Sequence, residues 1–367
     1  GGEGAGRAGG PDVYADRLDI GAVSADNSVS ESPARRRCRG GERDPSTGGR
    51  PKERAAMVFG KGKHTYELVD LWAKLPEGDS FFDVGGVCIG AEDRVYVLSR
   101  SAQPITLFDR DGNIITRWGQ GFFGRAHGSG MGPDGAFYCT DDRKHTVTKF
   151  TPDGRTILMT LGTAGQPSDT GYRETPHLFE RIASIKYGGA PFNRPTGVGV
   201  APNGDIYVSD GYANARIHRF NARGELLSSW GQPGPGPSQF RLPHNLWVDE
   251  DSRVWLADRE NSRIQIFRED GKFLTEWRDF IRPTDVCIHD GAVYVTELCR
   301  RVSILSLDGE LLARWGNEQY PVDSPLFYAP HCVAVDSRGD LYVGEVSMTE
   351  AKLDRGPRAL QKFARKG

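Results

Sequence analysis

The chain has 367 residues, with 47 Lys plus Arg against 49 Asp plus Glu and a formal net charge of −2. So even a balance gives no electrostatic case for nucleic acid or a membrane surface as partner, and no apolar run approaches the roughly 20 residues that cross a bilayer. The 47 glycines and 22 prolines fall mostly at regular turns, so repeats are sought before domains.

Residues 1–57 stand apart. They hold Arg35-Arg36-Arg37 and many glycines but few large apolar residues, too few for a core and with no apolar centre of a secretion signal. They are expected to be a disordered or mis-assigned tail, with Met57 as the true start; a basic docking tail is the alternative. The six cysteines, Cys38, Cys88, Cys139, Cys287, Cys299 and Cys332, form no CxxC pair, and most sit in apolar strand-like runs. Buried free thiols in a reducing compartment are the expectation, hence a soluble, cytoplasmic protein.

From 58 to 367 one unit recurs. Its second strands are Val95-Tyr96-Val97, Phe137-Tyr138-Cys139, Ile206-Tyr207-Val208, Val254-Trp255-Leu256, Val293-Tyr294-Val295 and Leu341-Tyr342-Val343, the β-branched and aromatic residues that strands prefer. Third and fourth strands meet at Asp111-Gly112, Asp153-Gly154, Arg223-Gly224, Asp270-Gly271 and Asp308-Gly309, which supply the positive φ of a tight hairpin. Fourth strands end on Trp118, Leu161, Trp230, Trp277 and Trp315. The sixth unit stops at its third strand, Leu360–Phe363, while Tyr66–Trp72 near the start reads like Gly309–Trp315. Lending that segment to the last unit closes a ring and leaves no open edge. The expectation is an all-β fold, a six-bladed β-propeller closed by an N-terminal strand; a solenoid would not need such a strand. A helical period shows only in 178–185.

The innermost strand of a blade lines the axis. Eleven residues before the second-strand aromatic lie Gly85, His127, Thr196, His244 and His331; a shorter turn in the fifth unit makes its equivalent Thr284. Histidines therefore occupy alternate blades at one level of the axis. Zinc at a reactive site takes three protein ligands and keeps a fourth position open. His127, His244 and His331 are the expected metal ligands, for zinc first, with iron or another divalent transition metal also suited to imidazole. His64, His145, His177, His218 and His289 fall outside this register and are expected on the surface or in packing.

Loops after the second strands surround the same end of the axis, presenting Arg100, Asp142, Gly211, Arg259, Leu298 and Val346, with Tyr212 beside Gly211. Arg100 and Arg259, on opposite blades, suit a carboxylate clamp, and Tyr212 suits proton transfer beside a metal. The bland alternative pairs these arginines with strand-end acids such as Asp141 or Asp258. The long connection 163–192 is expected to be a substrate lid or a dimer contact.

These motifs resemble the lyase domain of the peptidylglycine α-amidating enzymes, peptidyl-α-hydroxyglycine α-amidating lyase, a propeller of NHL-repeat type. The resemblance runs from about Tyr66 to Phe363 and is strongest in 194–212 and 242–265. It implies zinc on His127, His244 and His331, a catalytic Tyr212, and active-site Arg100 and Arg259. It also implies a structural calcium, which is doubtful because Cys332 stands where the family has an aspartate; Val87 and Ser129 match its backbone ligands. Ala329 replaces a methionine, and Ala213, Trp255 and Ile266 replace disulfide cysteines. The expected activity is metal-dependent cleavage of the C–N bond of an N-substituted α-hydroxyglycine to an amide and glyoxylate. The partner would be a small molecule or peptide with a free carboxylate; ureidoglycolate carries the same unit. The alternatives are a non-catalytic NHL-type propeller that binds a protein, and a gluconolactonase-type hydrolase. Nothing in the sequence sets an oligomeric state.

Overall fold

A computed structural model describes residues 56–189, 191–317 and 324–367, so the expected tail lies, up to residue 55, outside the described residues. Six antiparallel sheets form the blades, five of them with their four strands in chain order. The inner strands are Val84–Ile89, Ala126–Met131, Pro195–Val200, Pro243–Val248, Pro283–His289 and Pro330–Val335. Each packs against the inner strands of both neighbours, and the sixth packs against the first. The ring is thus a closed six-bladed propeller, as the repeat implies.

Closure comes from the N-terminal side. His64–Val69 pairs antiparallel with Leu360–Arg365, in the register Tyr66↔Arg365 through Val69↔Lys362. The sequence reading extended this strand to Trp72. It stops at Val69, since Leu71 takes a left-handed backbone (φ 55) that a strand cannot hold. The sixth blade also gains a fifth strand, Val58–Lys61, which folds back on His64–Val69 and covers the edge that strand would expose.

Between neighbouring blades lies an apolar cluster, one for each of the six interfaces, built on second-strand residues such as Tyr96, Tyr207, Trp255 and Tyr342. The hairpin glycines have a second reason to be glycine. A Cβ on Gly154 (φ +70) would stand 2.0 Å from the ring of Trp118, and one on Gly271 (φ +86) 2.6 Å from that of Trp230. The tryptophan ending one blade fills the turn of the next. Trp72 does this for the ring junction, with its carbonyl 2.0 Å from the Cβ position of Gly112 and its indole nitrogen donating to Arg110 O at 3.0 Å.

Every inner strand shifts register once, and always at the residue that the sequence placed on the axis: between Val84 and Gly86, Ala126 and Ser129, Pro195 and Gly197, Pro243 and Leu246, Pro283 and Asp285, and Pro330 and Cys332. A bulge re-aims a side chain out of the alternating pleat. Here it turns one residue per blade toward the axis. Gly85 breaks the pattern of polar side chains for a steric reason: a Cβ there would lie 2.4 Å from His127 O.

Replacement of Gly154 by alanine should combine backbone strain with overlap on Trp118 and lower the unfolding free energy by about 2 kcal/mol or more. Gly78→Ala has φ +84 but open space around it, so it should cost only about 1 kcal/mol. Denaturant titration of both variants would separate the packing contribution from the backbone contribution.

Candidate metal centre and active site

The three axial histidines converge. His127, His244 and His331 are buried, and each offers a ring nitrogen within 4.8 Å of the others. Ring centroids are 4.9 Å apart for His127–His244, 4.7 Å for His127–His331 and 4.6 Å for His244–His331. The Nδ1 of His127 lies 2.6 Å from Thr196 O, that of His244 2.6 Å from Thr284 O, and that of His331 3.0 Å from Gly85 O. A carbonyl oxygen only accepts, so each Nδ1 carries the proton and each Nε2 presents a lone pair. The Nε2 atoms of His244 and His331 are buried with no hydrogen-bond partner, and that of His127 accepts from the Tyr212 hydroxyl at 3.0 Å. Buried lone pairs left open on one point suit a metal ion, with the Nδ1–carbonyl bonds as outer support.

This explains the alternation. Each histidine is tethered by the backbone of the next slot, and the two threonines are themselves braced. Thr196 donates its hydroxyl to Pro243 O at 2.7 Å, and Thr284 donates to Pro330 O at 3.0 Å, the residues just before His244 and His331. The threonines link one ligand strand to the next.

Burial, then the neighbouring imidazoles and arginines, holds the His127 pKa well below its usual 6.5. For His244 the order is burial, His331 and Arg259; for His331 it is burial, Arg100 and Arg259. All three are neutral at physiological pH, the form that binds metal.

Tyr212 follows Gly211, where a Cβ would stand 2.0 Å from Pro243 O, so only glycine lets the turn pass so close. Three guanidinium carbons lie near its ring centroid: Arg125 at 5.3 Å, Arg194 at 5.6 Å and Arg259 at 5.9 Å. Arg100 and Arg259 each have a carboxylate, but not the strand-end acids suggested by the sequence. Arg100 pairs with Asp83 at 2.8 Å and donates to the Thr349 hydroxyl at 2.7 Å, while its other terminal nitrogen is buried without a partner. Arg259 donates its Nε to Glu260 at 2.8 Å, and Glu260 also holds Arg282 at 2.8 Å. Asp141 instead accepts from the amides of Gly124, Arg125, Arg143 and Lys144, and Asp258 pairs with Arg263.

Over this centre is a cavity of about 340 Å³, walled by Arg125, Arg194, Tyr212, Arg259 and Arg282 and by helix α1, Leu178–Ser184. The long connection therefore reaches the site, as the lid expectation requires. It is anchored by Thr170 donating to Ala213 O at 2.7 Å and by Arg194 pairing with Glu174 at 3.2 Å. Thr349 and Glu350 of helix α2, Ser347–Ala351, complete the rim. His177, expected on the surface or in packing, is exposed and also lines this mouth. Arg125, Arg194 and Arg282 also went unread. A signal for them existed: each stands two residues before an axial slot, where the inner strand enters from the rim.

Beneath the histidines a second axial cavity of about 150 Å³ is lined by Val87 and Ser129, the residues matched to calcium ligands. Cys332 is buried at this level with its thiol directed at Val84 O, 3.7 Å away. The carboxyl in the lining is that of Asp285, and burial pushes it up to about 8. Among the described residues Cys88, Cys139, Cys287 and Cys332 are buried free thiols, and no helix is long and apolar enough to cross a membrane.

Residues 192–220, the inner three strands of blade three, match the NHL repeat family model. A probable peptidyl-alpha-hydroxyglycine alpha-amidating lyase of Caenorhabditis elegans is 34% identical over 44% of this chain and 42% of its own length. Peptidyl-alpha-hydroxyglycine alpha-amidating lyase 1 of Drosophila melanogaster is 34% identical over 49% of this chain and 32% of its own length. The chain thus spans under half the length of these relatives. A streptogramin B lyase structure aligns over 82% of this chain and 98% of its own, at 15% identity and TM-score 0.55, which shows the propeller fold alone. The chain is similar to curated peptidyl-alpha-hydroxyglycine alpha-amidating lyases, and that likeness supports a lyase role in general.

The lowered histidine pKa values carry a sign. Imidazoles that bind fewer protons folded than unfolded contribute stability that is present above the unfolded value of about 6.5 and lost as pH falls below it. Metal-free protein should therefore lose unfolding free energy from pH 6.5 downward, and His127→Asn should show a shallower decline. Denaturant unfolding at pH 7.5, 6.0 and 5.0 after chelation checks this.

Proposed function

We propose that the protein is a metal-dependent C–N lyase acting on N-substituted α-hydroxyglycines, R–CO–NH–CH(OH)–COO⁻, and releasing the amide and glyoxylate. The observation that carries this is the convergence of three Nε2 lone pairs beside a phenol, in a cavity walled by arginines. His127, His244 and His331 would hold the metal, with zinc as the proposed ion. When bound, it supplies a Lewis acid that polarises the substrate hydroxyl.

The chain's own groups have distinct tasks. Arg100, through its unpartnered buried nitrogen, and Arg259 from the opposite blade hold the substrate carboxylate. Buried Asp83 and Glu260 keep these guanidiniums in place. With the His127 lone pair engaged by a ligand, the Tyr212 hydroxyl loses its present acceptor and turns to the substrate. Tyr212 relays the proton: as the C–N electron pair leaves on nitrogen, its hydroxyl gives its proton there to form the amide and takes the proton of the α-hydroxyl, whose O–H electrons become the second C–O bond of glyoxylate. Helix α1 over the cavity limits water at this step. The likeness to lyases named for peptidyl-alpha-hydroxyglycine supports the substrate unit. The four buried free thiols, Cys88, Cys139, Cys287 and Cys332, support a reducing, cytoplasmic setting.

Three groups of variants test this reading. Alanine at His127, His244 or His331 should sharply lower metal content in elemental analysis. Tyr212→Phe should keep the metal and lose about 10²–10⁴-fold in kcat. Arg100→Ala and Arg259→Ala should mainly raise KM for free carboxylates and change little with esterified substrate. A triple-histidine variant that kept metal and glyoxylate release would overturn the proposal, and a non-catalytic propeller would show none of the three phenotypes.

A further inference from the structure

Directly below the histidines, blades four, five and six differ from the other three. At the residue after the axial slot the first three blades carry Gly86, Gly128 and Gly197, and the last three carry Asn245, Asp285 and Cys332. Where the glycines stand, neighbouring inner strands touch: a Cβ on Gly86 would lie 2.8 Å from Ser129 N, and one on Gly128 2.4 Å from Thr196 O. Across the ring the link is made by side chains, and Asp285 is its centre. Its carboxyl group is buried; one oxygen accepts from the amide of Val286 at 2.8 Å, and the other from the amide of Val333 in blade six at 2.9 Å. The Asn245 side chain of blade four donates to it as well. Three neighbouring inner strands meet on this one group.

The residue before it works on the same strands. Thr284 accepts from His244 Nδ1 and donates its hydroxyl to Pro330 O. In succession the two residues bracket both ligands. His244 is held at its ring by Thr284 and at the following residue by Asp285. His331 lies in the stretch 330–333, pinned by Thr284 at Pro330 and by Asp285 at Val333. We propose that Asp285 is a positioning residue for the metal centre: by tying Asn245 to Val333 it fixes where the backbones of blades four and six present His244 and His331. The structural calcium that the resemblance implies does not fit this level of the axis. Calcium takes about 6–8 oxygen ligands, whereas Cys332 brings a thiol, a soft donor, whose sulfur faces Val84 O. The carboxyl in the lining is that of Asp285, and both of its oxygens face N–H donors. Hydrogen bonds to Asp285 supply the cross-link instead. The inference rests on the histidines binding a metal, not on the reaction proposed above.

Asp285→Asn keeps the shape of the side chain but leaves one acceptor oxygen for two main-chain donors, so one amide would face an NH2 group. Asn245→Ala removes the third arm and serves if the first variant does not fold. Either should lower zinc affinity about 10–100-fold, the usual cost of losing an outer support, and should shift the visible bands of the cobalt(II)-substituted protein, which report ligand geometry. Zinc affinity is read by competition with a chromophoric chelator, on protein shown to be folded by circular dichroism. Asp249→Asn is the control. Asp249 is similarly buried, follows the inner strand Pro243–Val248 at its far end, and holds Arg253 Nε and the Trp255 indole, each at 2.8 Å. Its replacement should cost stability and leave zinc affinity and the cobalt bands unchanged. Dialysis of the zinc-loaded protein against radioactive calcium should retain none. Unchanged affinity and bands in both Asp285→Asn and Asn245→Ala, or equal losses in Asp249→Asn, would overturn the inference. So would one calcium retained per chain, which would assign the cross-link to an ion. If the unaltered protein takes up neither zinc nor cobalt, the metal reading of the histidines falls and this inference with it, whereas metal binding indifferent to Asp285 and Asn245 sinks the positioning role alone.

Discussion

The axis on which everything else depends exists only because His64–Val69 pairs with Leu360–Arg365. An open chain of six sheets would leave the last third strand bare and the first and sixth inner strands with only one neighbour each. Closure puts the first inner strand against the sixth, and only then does the Gly85 carbonyl lie 3.0 Å from His331 Nδ1. The third histidine is therefore oriented by the ring junction itself. Trp72 against Gly112 repeats at that junction the packing that Trp118 makes on Gly154 within the ring. The same short-range rule thus serves both the internal interfaces and the closure.

A register shift at the same place in each inner strand turns this closed ring into a site. The bulges aim one residue per blade inward, and glycines such as Gly128 and Gly197 let the strands come close enough for backbone carbonyls to reach the rings. A Cβ at Gly128 would stand 2.4 Å from Thr196 O, the acceptor for His127. Nδ1 protonation and Nε2 direction follow from these carbonyls. The arrangement gives three neutral ligands in a fixed tautomer before any metal is considered, so little reorganisation accompanies binding.

Charge around the histidines is arranged in shared pairs. Asp142 lies between Arg125 at 3.0 Å and Arg194 at 3.7 Å, and Glu260 between Arg259 and Arg282. Each buried carboxylate fixes two guanidiniums without fully neutralising them, which leaves positive charge at the rim, as the proposed anionic substrate requires. The same positive charge helps to hold the imidazoles neutral. The protonation of the histidines and the proposed carboxylate clamp therefore draw on one set of arginines, while α1 adds a wall beside them.

The blade count, the closing segment and the three histidines were legible from the sequence because propeller strands repeat locally. Tyr207, Thr196 and Gly224 sit at corresponding places in a short unit, and hairpin φ and strand propensity act within a few residues. Tyr212, Arg100 and Arg259 were readable by the same count along the chain, and all three stand at the histidine cluster or its rim. The end of the closing strand at Val69, the extra strand Val58–Lys61 and the partners of Arg100 and Arg259 were not. Asp83 and Glu260 became partners through side-chain directions at the rim, which no spacing encodes. His177 and Phe179 reached the site because a 30-residue connection folded back over it, and the repeat says nothing about a segment outside the repeat. Local chemistry, repeated six times, determined the ring and its axial ligands; the tertiary structure decided which charges meet at the rim and what covers it, since those contacts join residues that no common period relates.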